Sequence, residues 1–220
     1  DGTEAGTVLV KDIFPGVSDG YPVNLFNANG TLYFSASNEA KSPGDFIECF
    51  NTGGELWKSD GTEAGTLLVK EIYKGTGGGG GPEGFIVANG AVFFKANNGL
   101  VGRELWKTDG TANGTVLVKD LIPTGGSDPK QFTVMNGLVY FIAFNQDAGP
   151  SFARGREVYQ TDGTLSGTNQ STSIFSLGGS YPREIINHNG VLFISAHNGS
   201  HGYELWKSDG LGMFNGGTTT

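Results

Sequence analysis

The sequence predicts an all-β fold, a four-bladed β-propeller with four antiparallel strands in each blade. The first observation behind this prediction is a motif of the type ELWKSDGT, which recurs four times at a spacing of about 50 residues, the period of propeller blades. The second is the set of 38 glycines among 220 residues, which follow no Gly-X-Y period and separate short segments rich in Val, Leu, Phe and Tyr. Such a chain forms many short strands joined by turns. We therefore expect one propeller domain over residues 1–210 and a C-terminal tail over residues 211–220.

Each repeat contains four strand-like segments, which we call A to D in chain order. Strand A follows a proline, which fits the first position of a strand, where its missing N–H is not needed. An Asn-Gly pair then gives the strongest short hairpin signal. Strand B is apolar on both faces, so its aromatic residues, such as Phe93 and Phe94, are expected in the core. The prolines are Pro22, Pro82, Pro129 and Pro182, and the turns begin at Asn29, Asn89, Asn136 and Asn189.

Strand C is the repeated motif itself, and a DGTxxGT connection joins it to strand D. The copies of the motif occupy residues 55–62, 104–111, 157–164 and 204–210. Asp and Gly indicate a turn, because Asp accepts hydrogen bonds from nearby backbone N–H groups and Gly adopts positive φ. A metal site is the alternative for Asp60, Asp109 and Asp162, although calcium loops combine several oxygen ligands at short spacing.

The two ends of the sequence predict how the ring closes. Residues 7–13 resemble strand D and residues 203–208 form a strand C, so pairing them completes one blade. Closure protects strand edges that an open array exposes. The alternatives are an open excerpt from a longer array and half of an eight-bladed ring completed by a second chain.

The ELWKSDGTEAGT and VLVKDI segments resemble the ELWxxDGTxxGT repeat family, which occurs mostly in large secreted or surface proteins. The resemblance implies an extracellular or cell-surface location and a role in contact or assembly, and it carries no catalytic residue. The third repeat departs from the pattern, with EVYQ in place of ELWK and residues 169–173 polar. Its strand D is therefore expected to be the least protected edge.

Composition excludes several classes of partner. The net charge is −8 and the pI is near 4.8, whereas nucleic acids and anionic membranes require a basic surface. Cys49 is the only cysteine, so an intrachain disulfide cannot form. The sequence contains no apolar run of about 18 residues, so we expect no membrane insertion.

Length variation predicts the binding face. In a propeller the A–B and C–D turns lie on one face, and here they are short and regular, whereas the B–C and D–A loops on the other face vary. These loops cover residues 14–21, 38–54, 73–81, 122–128, 145–155 and 176–181. Variable loops on a repeated scaffold are where recognition usually occurs. The first interpretation is thus a non-catalytic module that contacts a protein partner, or assembles with itself, through this face.

Two further classes of function remain open from the sequence. A carbohydrate-binding propeller requires exposed aromatic residues beside amide or charged groups; the candidates are Asp45, Phe46, Phe50, Asn51, Phe152, Arg154 and Tyr203. A metal-dependent enzyme would centre on His197 and His201, which flank a glycine-containing hairpin. The sequence shows no Ser-His-Asp or paired-carboxylate motif, so it favours a protein that is not an enzyme.

Recurrent polar residues complete the set of candidates. A glutamate opens every strand C, at Glu55, Glu104, Glu157 and Glu204. These carboxylates either accept backbone or lysine hydrogen bonds or form a ring that holds a cation such as calcium in the channel; no other cofactor is expected. An asparagine after each strand B, at Asn38, Asn98, Asn145 and Asn198, is expected to cap its own loop. Candidate glycosylation sites are Asn113, Asn169 and Asn198, whereas the Asn-Gly turn already explains Asn29.

Overall fold

The computed structural model describes residues 2–16, 19–37, 54–74, 80–123, 125–145, 155–172 and 180–210, and every regular element in these ranges is a β-strand. The strands form four antiparallel sheets, three with four strands and one with three. The predicted all-β architecture of antiparallel sheets is therefore confirmed. Within the described ranges no helix has the length and apolar character needed to span a bilayer.

Each sheet follows chain order, so each repeat is one blade. Blade 1 contains β1 (Val23–Ala28), β2 (Thr31–Ala36), β3 (Glu55–Ser59) and β4 (Leu67–Lys70). Blade 2 contains β5 (Glu83–Ala88), β6 (Ala91–Asn97), β7 (Arg103–Thr108) and β8 (Val116–Lys119). Blade 3 contains β9 (Lys130–Met135), β10 (Leu138–Phe144), β11 (Arg156–Thr161) and β12 (Asn169–Thr172). Blade 4 contains β13 (Glu184–His188), β14 (Val191–His197) and β15 (Tyr203–Ser208).

Strand A of each blade lies against strand A of the next. β1 contacts β5, β5 contacts β9, and β9 contacts β13. Strand D is at the opposite edge of each four-stranded sheet. Strand A is therefore the inner strand and strand D the outer strand in the first three blades.

The Asn-Gly turns between A and B have the predicted geometry. Asn29 and Gly30 have φ values of 52° and 94°, both positive, as a type I′ turn requires. Asn89, Asn136 and Asn189 repeat this conformation in the other blades.

The apolar core lies between blades and is built largely by strand B. Phe93, Phe94, Tyr140 and Phe141 are at most 1% exposed. Full burial of such a side chain contributes roughly 1.5–3 kcal/mol. The ring of Phe94 packs 5.5 Å from that of Phe85 on the neighbouring strand A. The prediction that these strand B aromatics are core residues is thus confirmed.

The DGTxxGT connections are hydrogen-bonded turns. In blade 1 the Asp60 Oδ1 accepts the Thr62 N–H at 2.9 Å and the Thr62 hydroxyl at 2.7 Å. These donors lower the pKa of Asp60. A Cβ on Gly65 would lie 2.0 Å from Asp60 Oδ1, so the turn requires glycine there. Asp109 and Asp162 form the same bonds with Thr111 and Thr164, as the turn interpretation predicts.

The predicted closure of the ring is not seen among the described residues. No strand forms at residues 7–13, where Val8 is 73% exposed, and blade 4 has three strands within the part of the chain that the structure describes. Leu205 on β15 is also 73% exposed. The other three blades each pair a strand D with the strand C just before it in the chain, whereas this pairing joins distant segments.

Candidate ligand-binding face

The face defined by the long loops is the end of the blades where strands A and C begin and strand B ends. We call it the loop face. Of the residues predicted to bind carbohydrate, only Tyr203 is described; it opens β15 on this face and is 41% exposed. The other predicted residues, Asp45, Phe46, Phe50, Asn51, Phe152 and Arg154, lie outside the described residues.

A network of charged side chains joins blades 2 and 3 on the loop face. The Lys95 ammonium lies 2.9 Å from Asp128 Oδ1 and 3.4 Å from Glu83 Oε1. Arg103 donates to Glu83 Oε1 at 2.5 Å, and Arg156 donates to Asp128 Oδ2 at 2.5 Å. A second Arg156 N–H bonds the Asp128 backbone carbonyl at 2.9 Å. One lysine therefore connects two carboxylate–arginine pairs from adjacent blades.

The electrostatic balance of this network keeps Asp128 ionised. Burial alone raises the pKa of Asp128, but hydrogen bonds from Arg156 and Lys95 outweigh it, so the net pKa is lower than usual. Nearby Lys130 has a lowered pKa because of burial, first, and the positive charge of Arg156, second. The site thus presents fixed charges of both signs.

Two arginines on this face each lie over an aromatic ring. The guanidinium carbon of Arg156 is 3.9 Å from the ring centroid of Phe144 in blade 3. In blade 4 the guanidinium carbon of Arg183 is 3.7 Å from the ring centroid of Tyr203. Both distances are within the range of a cation–π contact. His197 adds a T-shaped contact to Tyr203, with 5.7 Å between ring centroids.

The two histidines proposed as a metal clamp instead organise their own hairpin. His197 Nδ1 accepts the Gly199 N–H at 2.9 Å, and His201 Nδ1 lies 2.9 Å from Asn198 Nδ2. The Asn198 Oδ1 accepts the Ser200 and His201 N–H groups, so Asn198 caps its loop as predicted. Over the described ranges, no group of three or more His, Cys, Asp or Glu side chains could hold a metal.

Three of the four recurrent glutamates, Glu55, Glu104 and Glu157, accept hydrogen bonds from the segment that follows strand D of their own blade. Glu104 accepts hydrogen bonds from the Ser127 N–H at 2.8 Å and the Ser127 hydroxyl at 2.5 Å, and it is fully buried. Glu157 bonds the same two groups of Ser180. Burial raises the pKa of Glu55, Glu104 and Glu157 to about 7, although these hydrogen bonds oppose the shift. The backbone interpretation is therefore confirmed for three glutamates, and a cation in the channel stays a prediction.

The described glycosylation candidates differ in accessibility. Asn113 is exposed in the C–D turn of blade 2, and Asn169 is exposed at the start of β12. Asn198 is half-buried, and both ends of its amide contact the hairpin. The use of these sites stays a prediction.

Sequence reasoning missed the charged network and the two arginine–ring pairs. The sequence contains part of the pattern for the charged network, because Arg103 and Arg156 directly precede the repeated glutamate of strand C. The acidic partners Glu83 and Asp128 flank the prolines before strand A. No single repeat contains a complete cluster, so a search within repeats does not find it.

No family model matches the sequence, and no curated protein matches it. Solved structures with similarity include an α-L-arabinofuranosidase from Clostridium thermocellum, with 17% identity, a TM-score of 0.38, and coverage of 84% of this chain and 67% of that one. An exo-β-1,3-galactanase from the same organism has 10% identity, a TM-score of 0.39, and coverage of 94% and 47%. The computationally designed Ika8 protein has 12% identity, a TM-score of 0.41, and coverage of 84% and 45%.

The presence of glycoside hydrolases among these structures contradicts two predictions made from the sequence. The chain was expected to be a non-catalytic protein-contacting module and not an enzyme, and both expectations are wrong on this finding. The physical reason is that the repeat motif specifies strands and turns, which say nothing about the chemistry of the loops.

Proposed function

We propose that the protein binds carbohydrate on the loop face. The observation that carries the proposal is the pair of arginine–ring contacts, Arg156 with Phe144 and Arg183 with Tyr203, on the face that also carries the ion-paired carboxylates Glu83 and Asp128. Ligand sites combine apolar surface with a few fixed polar groups that set orientation.

The chemistry of a sugar matches this combination. A pyranose or furanose ring presents adjacent hydroxyl groups, which act as both donors and acceptors, together with an apolar C–H face. Guanidinium and carboxylate groups form strong, paired hydrogen bonds with such hydroxyls, since their donor and acceptor atoms are held in one plane. The exposed Tyr203 ring supplies the apolar surface and a phenolic hydroxyl.

The two sides of this face have different roles. The side chains of Lys95, Arg156 and Asp128 are held in place by ion pairs and are only 15–33% exposed. They form a rigid polar floor, which limits the entropy lost on binding. Arg183 and Tyr203 are more exposed and form the accessible part of the site.

The architecture that goes with this function is the closed ring. Closure through residues 7–13 and β15 would bring blade 1 beside blade 4 and complete the loop face around the channel. An extracellular location, which the repeat resemblance implies, is part of the same proposal.

The direct test is a glycan array with the whole chain and two variants. Tyr203→Ala is expected to lose the array signal, because it removes the exposed ring and the support for Arg183. Leu165→Ala, at a side chain that is 66% exposed in the C–D turn on the opposite face, is the matched control and should keep the signal. The proposal fails if the wild type binds no glycan or if Tyr203→Ala binds as well as the control.

Analysis of the bound glycan extends the same experiment. Each positive glycan is incubated with the protein and examined for released sugar. If the glycan is cleaved and Tyr203→Ala reduces the cleavage, the binding site also has a hydrolytic activity. If the glycan stays intact, the site binds carbohydrate without cleaving it.

A further inference from the structure

The three glutamates of blades 1 to 3 show what holds each D–A loop in place. Glu55 accepts the Ile72 N–H at 2.5 Å and the Gly80 N–H at 3.4 Å, and Glu104 and Glu157 bind Ser127 and Ser180 in the same way. Ile72 lies two residues after the end of β4, and Gly80 lies near the end of the loop that leads to β5. The three carboxylates are 0–6% exposed. Glu204 has the same place in the motif but is exposed.

Residues 7–13 already lie on blade 1 as strand D of a preceding blade would. The sequence TVLVKDI matches TLLVKEI at residues 66–72, which includes β4. Lys70 donates to the Ala112 carbonyl of blade 2 at 2.9 Å, and Lys11 donates to the equivalent Glu63 carbonyl of blade 1 at 3.3 Å. Ile13 packs against the core of blade 1.

The loop after residues 7–13 has the same backbone geometry as the loop that Glu55 binds. The Gly20 carbonyl accepts the Ser37 N–H at 2.8 Å, just as the Gly80 carbonyl accepts the Asn97 N–H at 2.8 Å. The backbone N–H of Gly20 is thus the counterpart of the Gly80 N–H that Glu55 binds.

The exposed surfaces at the two ends of the array are complementary. Leu56, Leu105 and Val158 on the other C strands are fully buried, whereas Leu205 is 73% exposed. Val8 and Leu9 are 73% and 80% exposed, although their counterparts pair with strand C in blades 1 and 2. An apolar strand edge of this kind favours pairing with another strand.

We infer that Glu204 is the positioning residue that closes the ring, by accepting the backbone N–H groups of Ile13 and Gly20 of its own chain when residues 7–13 pair with β15. This inference rests on the closed ring proposed above. The register follows from the other blades. Lys58 pairs with Leu67 and Lys107 pairs with Val116, so Lys207 pairs with Val8.

A disulfide trap tests whether residues 7–13 of the same chain pair with β15. In a Cys49→Ser background, Val8→Cys with Lys207→Cys is expected to form a crosslink within one chain, seen by mass and by mobility on a non-reducing gel. Val8→Cys with Lys107→Cys is the matched control, since Lys107 already has its own partner strand, and it should not crosslink. Crosslinks that form only between chains, or none at all, would overturn the inference.

The role of Glu204 is tested by the rate of that crosslink. Glu204→Ala is expected to slow crosslinking by about tenfold, the effect of losing hydrogen bonds to a charged group. Glu184→Ala, at an exposed residue of β13, is the control and should leave the rate unchanged. An unchanged rate in Glu204→Ala would show that Glu204 does not position the segment. The glycan array tests the proposed carbohydrate binding separately, because binding to the array does not depend on the crosslink. Failure of the crosslink and failure of glycan binding can therefore be told apart.

Discussion

At the scale of single residues, the fold depends on carboxylates that satisfy the backbone. The buried glutamate of strand C replaces water as the acceptor for N–H groups in the D–A loop, and the aspartate of the C–D turn does the same within its turn. Buried backbone donors without an acceptor are costly. This cost explains why the glutamate recurs with the motif, whereas the aspartate recurs because it forms the exposed hydrogen-bonded turn.

Substitution of Glu104 should reveal this cost. Glu104→Ala leaves the buried Ser127 N–H without its acceptor, and unfolding free energy is expected to fall by roughly 1–3 kcal/mol. Glu104→Gln keeps one acceptor oxygen and should cost less. Urea unfolding of both variants measures the difference, and equal losses would contradict the hydrogen-bond account.

The same glutamates predict a pH dependence of stability. Because burial raises the pKa of Glu104 from 4.5 to about 7 in the folded state, the unfolded chain loses its proton first as pH rises. The stabilisation is complete below pH 4.5 and is lost as pH rises through about 7. We expect a loss of roughly 1–3 kcal/mol per glutamate between pH 4.5 and pH 8. Glu104→Gln should show a shallower slope in urea unfolding, and an unchanged slope would exclude Glu104 as a source.

Gly65 gives a second residue-scale prediction, through its contact with Asp60. An added Cβ would displace the Asp60 carboxylate and break its two bonds to Thr62. Gly65→Ala should therefore destabilise the protein by roughly 1–3 kcal/mol. In an Asp60→Ala background the same change should cost much less, since the clash is gone. Additive losses in thermal unfolding would show that the two residues are not coupled.

At the scale of elements, the outer strand of blade 3 differs from its counterparts. β12 pairs with β11 although its residues are polar, whereas β4 and β8 consist of Leu, Val and Lys. Its pairing therefore gains little from apolar burial, which supplies most of the stability of an edge strand.

Hydrogen exchange should distinguish these strands. We expect the β12 amides to exchange faster than those of β4 and β8, because edge strands with few apolar contacts open locally. Exchange followed by mass spectrometry of peptides covering each strand makes the comparison. Equal protection of all three strands would contradict this expectation.

The elements were predictable from sequence because their signals are local. Asn-Gly fixed the hairpins, the prolines marked the start of strand A, and the DGTxxGT spacing marked the turn before strand D. The charged network was not predictable in the same way, since Lys95 and Asp128 come from different repeats and meet only when blades pack. The pairing of residues 7–13 with β15 was predicted from their matching strand signals but is not seen among the described residues; it joins segments that are distant in sequence.

At the scale of the whole molecule, the blades present one regular face and one variable face. The regular face is fixed by Asn-Gly and DGTxxGT turns, and the loop face carries the ion-pair network and the arginine–ring contacts. Binding is therefore expected on the loop face, where the repeat motif leaves the loop residues free to vary and where both the ion pairs and the exposed Tyr203 ring are found.

The most direct test of carbohydrate recognition on the loop face is the affinity of Arg183→Lys for the best glycan found on the array. Lysine keeps the positive charge but lacks the planar guanidinium that lies over Tyr203. By isothermal titration calorimetry we expect binding at least about tenfold weaker than wild type, a loss of about 1.4 kcal/mol. Unchanged affinity in Arg183→Lys would contradict the central claim.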